Sequence, residues 1–229
     1  MSRLSVDEIQ SRVAARVDQD EDTSAIATDD YSLRLKYINM AQTEWAEAYD
    51  WDVLYTEFNG NVSTSAGNAS IVLPQNFRKL ASFPEIVYDG TNTASFPAVD
   101  PLDDKQYGST DKRVWIVGNP QDQYILRVFG TTLASGASYK VPYFKSVGSL
   151  VSPANIPMVP NADFLVQRTV AQVWESREDP RFPQAKAEAQ QLLANMLEFE
   201  NVKNPVYDDR VKTQDETRYG LRWGEQEDA

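Results

Sequence analysis

Residues 30–54, DYSLRLKYINMAQTEWAEAYDWDVL, constrain the fold more than any other stretch of this chain. Tyr31, Leu35, Ile38, Ala41, Trp45, Ala48 and Tyr49 recur every three or four positions, which places them on one stripe of an α-helix. Asp29 or Asp30 supplies a short carboxylate for the free amides of the first turn. A helix of about twenty residues, ~30 Å long at ~1.5 Å per residue, follows from this pattern. Past it, Tyr49, Trp51 and Val53 alternate, so the chain is predicted to turn into a strand. Large aromatics at that junction predict a buried corner rather than an exposed platform.

Upstream, Ser5 and Glu8 have the S-x-x-E spacing of a capping box, and Leu4 and Ile9 are placed as its hydrophobic staple. Val6, Ile9, Val13 and Val17 mark a narrow apolar stripe, with Arg3, Arg12 and Arg16 among the polar positions. A helix of about fourteen residues is marginal alone, and the helix beginning near residue 30 is its nearest candidate partner. Between them, residues 18–30 carry Asp18, Asp20, Glu21, Asp22, Asp29 and Asp30 with no Lys or Arg. A calcium loop needs a central Gly and a terminal Glu, and neither is in place, so this segment reads as a solvated acidic loop.

From residue 55 to about 147, Gly, Asn, Ser and Thr clusters punctuate short runs of β-branched and aromatic residues. Strands are predicted at 53–58, 70–73, 77–83, 85–88, 94–99, 113–117, 124–129 and 138–144. Asp89-Gly90-Thr91-Asn92 and Asn119-Pro120-Gln121-Asp122 are turn signals, which makes two hairpins. Pro101 to Asp104 can open a short helix. The whole reads as a small antiparallel sandwich or partly open barrel.

Three prolines in residues 146–160 mark a connector back to helix. Asn161 is the predicted N-cap of a helix carrying Phe164, Leu165, Val166, Val170, Val173 and Trp174, which Asp179-Pro180 ends. The next helix begins at Pro183, where a missing amide costs nothing. It shows Ala185, Ala189, Leu192, Leu193, Met196, Phe199 and Glu200 on its faces, and Asn204-Pro205 closes it. The fold class expected is therefore α+β. Residues 1–54 and 148–204 form a four-helix bundle, 55–147 an inserted antiparallel β module, and 205–229 an extended C-terminal arm.

That arm has no sustained apolar period, yet it holds Tyr207, Tyr219, Leu221 and Trp223 near Arg210, Arg218 and Arg222. Tyr, Trp and Arg are the residue types enriched at interface hot spots, so the arm is expected to order against a partner.

Composition narrows the function classes. The chain has 229 residues, no Cys and no His. This removes thiol nucleophiles, thiolate metal sites, disulfides and every Ser-His or Cys-His arrangement. No cofactor motif such as G-x-G-x-x-G or a P-loop is present. A carboxylate-dependent glycan hydrolase needs only two acids, but Asp100, Asp103 and Asp104 lie in turn-like sequence that favours Asp for conformational reasons. A net charge of −12 disfavours gripping a nucleic-acid backbone. No run approaches the ~18 apolar residues of a membrane span, and the opening MSRLSVDEIQ lacks the apolar core of a signal peptide.

The order of parts resembles the head-to-tail adaptor, or connector, proteins of tailed bacteriophages, in particular the β-inserted adaptors of short-tailed viruses that include the tail tubular protein A type. The stretches carrying the resemblance are YINMAQTEWAEAYDWDVLYTEF, GNASIVLPQNFRKL, PQAKAEAQQLLANMLEFEN and the arm YDDRVKTQDETRYGLRWG. It implies a ring of twelve identical subunits beneath the portal protein, in the neck of a virion assembled in the host cytoplasm. The helical bundle is then expected to build the ring, and the β module to face outward or toward the tail or nozzle protein. Tyr207, Arg210, Tyr219, Arg222 and Trp223 become the expected portal contacts. Double-stranded DNA would pass through the lumen unbound, since an acidic lumen repels phosphates, and no membrane is involved. A ring contact also needs two different faces per subunit. The alternative is another neck or tail protein whose β module, 55–147, binds a fibre or receptor.

Overall fold

The computed structural model describes residues 3–18, 28–65, 68–81, 85–88, 92–99, 108–119, 121–130, 136 and 138–203. The protein is α+β and divides into two compact units, one of Met1–Trp45 with Leu150–Ala229 and one of Ala46–Ser149.

In the helical unit, α1 spans Val6–Val17, α2 Thr28–Ala48 (its last residues belong to the other unit), α3 Ala162–Ser176 and α4 Phe182–Lys203. The start of α1 is fully capped. Ser5 Oγ accepts from the Glu8 amide while Glu8 accepts from the Ser5 amide at 2.7 Å. The amides of Val6 and Asp7 donate to Asn155 and Pro153 carbonyls at 2.9 and 3.0 Å, so the connector closes what the capping box leaves open. Val6, Ile9, Val13 and Ala14 are buried, and α1 packs against α3 rather than chiefly against α2 as its position in the chain suggested. The reason lies in α3. It is buried over most of its circumference, through Phe164, Leu165, Val166, Val170, Ala171 and Val173 as well as Gln167, Thr169 and Gln172. A helix apolar on so many sides takes the centre, and α1 and α4 both contact it. Asn161 caps it, its Oδ1 accepting from the Asp163 amide at 3.0 Å.

Helix α2 begins at Thr28, which puts Asp29 and Asp30 inside the first turn, where carboxylates face the positive end of the helix dipole, rather than at the cap. Ile38, Ala41 and Trp45 are buried as the stripe required, but Ala48 is exposed. Two of its polar residues hold the connector. Asn39 donates to the Leu150 carbonyl at 3.0 Å and accepts from its amide at 2.7 Å, and Gln42 accepts from the Met158 amide at 3.2 Å.

The other unit begins with the last turn of α2 and the aromatic corner. Trp51 is buried and meets Tyr49 edge-on at 5.5 Å. A single 3-10 turn, Asp52–Leu54, intervenes before the first strand. The strands are β1 Tyr55–Ser65, β2 Asn68–Val72, β3 Phe77–Leu80, β4 Glu85–Tyr88, β5 Asn92–Ser95, β6 Arg113–Asn119, β7 Gln123–Phe129 and β8 Ser138–Lys145. They form one curled antiparallel sheet in the order β5-β4-β8-β1-β2-β7-β6, with β3 on β8.

β1 is the hinge of the curl. Its first half, from Tyr55 to Asn61, pairs with β8, and its second, from Val62 to Ser65, pairs with β2. Gly60 sits at the change of partner, where a Cβ would lie 2.6 Å from both Ile71 and Phe58 side chains. The sheet wraps a core that includes Val62, Ile71, Leu73, Phe77, Phe96, Val114, Leu126, Val128, Val141 and Tyr143. The β6–β7 turn falls where its sequence signal lay. Asn119 Oδ1 accepts from the amides of Gln121 and Asp122, both at 2.9 Å. The other turn signal pairs β4 with β5, while residues 89–91 lie outside the described residues.

Candidate assembly surface

The five arm residues singled out from sequence, Tyr207, Arg210, Tyr219, Arg222 and Trp223, lie outside the described residues, as do Asp100, Asp103 and Asp104. Among the described residues no group of three or more His, Cys, Asp or Glu is placed to hold a metal ion. No described helix is long and apolar enough to cross a membrane.

The described part nearest the arm is the end of α4, and its geometry follows from an inequality of length. α3 has 15 residues and α4 has 22. Gln167 donates to Glu188 at 2.6 Å, which fixes their antiparallel register. Five residues back from Gln167 is Ala162, the first of α3, and five forward from Glu188 is Leu193. Residues 194–203 therefore overhang α3 by ~15 Å at ~1.5 Å per residue.

The apolar seam of α4 does not stop with its partner. Ala185, Ala189, Leu192, Met196 and Phe199 follow one another at alternating intervals of four and three, the period of a helix–helix seam. Ala185 and Met196 are buried at 1 % and 9 % exposure, whereas Phe199 is 71 % exposed and the neighbouring Val202 72 %. An open groove of about 770 Å³ runs along this overhang, lined by Ala194, Leu197, Glu198, Asn201 and Val202.

Nearer the centre, the helices are joined by polar contacts that the apolar pattern did not announce. Arg34 is 2 % exposed. It donates to Asp18, which also accepts from Arg177 at 2.9 Å, so one carboxylate at the end of α1 ties α2 and α3 together. Asp18, expected in the solvated acidic loop, is the exposed C-cap of α1 and is ion-paired there, and residues 19–27 lie outside the described residues. Burial pushes its carboxyl up, but hydrogen bonds from Arg177 and Arg34 outweigh this and hold it below the usual range. The sequence did carry one signal: Arg34 precedes Ile38, Ala41 and Trp45 at intervals of four, three and four, where an apolar residue belongs.

A second polar cluster lines a cleft of about 370 Å³ between α1, α3 and α4. Arg16 donates to Gln167, and Gln184 donates to Glu188 at 2.9 Å. Arg181 lies 4.4 Å above the Trp174 ring and is clamped by Asp179. Its side-chain hydrogen bonds lower the Asp179 carboxyl to about 2.

The β unit offers a surface of another kind. Registers place Arg113 and Trp115 opposite Phe129 and Arg127, and Val117 and Val72 on either side of Ile125, all on one face of the sheet. Trp115 and Phe129 stack with centroids 3.8 Å apart, and the Arg113 guanidinium lies 5.2 Å from the Phe129 ring. Val72 and Arg127 on this face are exposed.

Among the described residues, these surfaces are helix faces, grooves and one face of the sheet. No curated protein matches the chain. The profile of the SU10 adaptor protein family does, over residues 4–214, which takes in both units and the first part of the arm. The chain belongs to the SU10 adaptor protein family, and is a structural adaptor of the bacteriophage head-to-tail neck.

Proposed function

We propose that the protein forms a ring beneath the portal protein and joins it to the tail or nozzle protein, with double-stranded DNA passing through the lumen. The family match across residues 4–214 carries this reading. In it the four helices act as the ring-building bundle and the β unit as the part available to the tail. The arm, through Tyr207, Arg210, Tyr219, Arg222 and Trp223, engages portal subunits. Supporting the arm assignment, α4 leads into residues 204–229 with Phe199 and Val202 exposed near its end. Supporting the passive lumen, the chain carries −12 and no histidine that could become positive near neutral pH. Twelve copies is the number the resemblance implies.

The test is co-sedimentation with the portal protein, read beside native mass measurement. The full-length chain should associate and the form lacking residues 205–229 should not, while both keep the same helical circular dichroism. Unchanged association after the deletion removes the arm from the portal contact. A full-length chain that never associates removes the adaptor role beneath the portal.

A further inference from the structure

Besides the exposed Val151 and Ile156 of the connector, the helical unit leaves apolar surface on two different helices. One patch is the α4 overhang, with Phe199 and Val202 at its tip. The other is the outer face of α2, where Leu33, Tyr37 and Met40 stand at i, i+4 and i+7. Leu33 is 40 % and Met40 47 % exposed, both large apolar side chains. Among the described residues, Leu33, Met40, Phe199 and Val202 remain exposed. α4 packs on α3, and α2 reaches α3 through the Arg168–Glu44 pair at 2.6 Å.

The two patches match in size and charge. Residues 33–40 span ~10 Å of helix and residues 194–202 ~12 Å at ~1.5 Å per residue, about two turns each. The exposed Lys36 flanks the α2 patch, whereas the exposed Glu198 lines the α4 groove. Beside the two patches, these two side chains are opposite in sign.

We propose that the α4 overhang of one subunit packs on the outer face of α2 of the next copy. Phe199 and Val202 meet Leu33, Tyr37 and Met40, and Glu198 faces Lys36. This rests on the ring reading above and names the surfaces that would close the ring. Two unlike patches make a heterologous contact, which leaves each copy one free face of either kind and so propagates until it closes. A single patch meeting itself would stop at a dimer.

The absence of cysteine makes the test direct. The full-length double variant Met40→Cys/Phe199→Cys is treated with a short bismaleimide, alone and bound to the portal protein. A ladder of dimers, trimers and larger species is expected. Each single variant should remain uncrosslinked, and an equal mixture of the two single variants should give dimers and nothing larger. Dimers from Phe199→Cys alone would mean a self-complementary contact and overturn the proposal. So would the lack of a ladder in both conditions, which leaves the overhang to the portal or another partner. Portal association of the unmodified chain, scored separately, decides the adaptor reading, so the two can fail independently.

Discussion

Asp18 links α1 to two other helices of the helical unit. Its carboxylate accepts from the buried Arg34 and takes a second guanidinium from Arg177. Removing one partner of a fully buried pair costs ~3–5 kcal/mol and of an exposed pair ~0–1. With Asp18 one-third exposed, 33 %, and Arg34 2 %, Asp18→Asn should cost about 2 kcal/mol in urea unfolding. The loss comes from stranding Arg34, so Asp18→Asn/Arg34→Met should be more stable than Asp18→Asn alone. A double variant that is worse would show that the guanidinium matters in its own right. The pH dependence follows from the same contacts. The folded carboxyl is held below its unfolded value, so its contribution is complete above roughly pH 4 and is lost as pH falls through the lowered folded value. The wild type should therefore lose more stability than Asp18→Asn on acidification below about pH 4. Equal slopes would contradict it.

Among the elements, α1 and its connector show how local rules and distant contacts combine. Ser5→Ala removes the side-chain acceptor for the Glu8 amide and should cost ~1 kcal/mol. Asn39→Ala, on α2, strands the amide and carbonyl of Leu150, and at ~1 kcal/mol per lost bond should cost ~2 kcal/mol. If Asn39→Ala unfolds at the wild-type urea midpoint, the connector is not held by that side chain. Their legibility in sequence differs for a physical reason. The Ser5–Glu8 box and the Asn161 cap are contacts within four residues, and the chain announces both. Asn39 reaches across 111 positions, and no local pattern marks it as anything but a polar residue on a helix. Phe199 was read as part of a helical face, which it is, but only the shorter length of α3 decides that this face is uncovered. The sequence predicts the first strand over 53–58, before a run in which Gly, Asn, Ser and Thr cluster. Its continuation to Ser65 is enforced by pairing with β2, and the exposed Asn61 and Ser63 alternate with the buried Val62. The sequence predicts one strand over 77–83, whereas β3 ends at Leu80 and residues 82–84 lie outside the described residues.

At the scale of the molecule, the two units differ in how the chain builds them. The helical unit needs both ends of the polypeptide, while the β unit is the continuous stretch Ala46–Ser149. That stretch contains its own core, from Val62 to Tyr143, and its own tie to the end of α2. Arg78 donates to the Ala46 and Tyr49 carbonyls and pairs with Asp50 at 2.9 Å, satisfying helix-terminal groups from within the unit. A segment of about 100 residues with one core is large enough to fold alone. Residues 46–149 expressed by themselves should therefore unfold cooperatively in urea, with near-ultraviolet dichroism from the packed Trp51 and Trp115. Gly60→Val should abolish that transition, since any Cβ there meets Ile71 and Phe58 at 2.6 Å at the turn of the sheet. A stretch that stays unfolded in isolation would make the β unit dependent on the helices, and an adaptor whose two units fold only together could not dock one of them while the other awaits its partner.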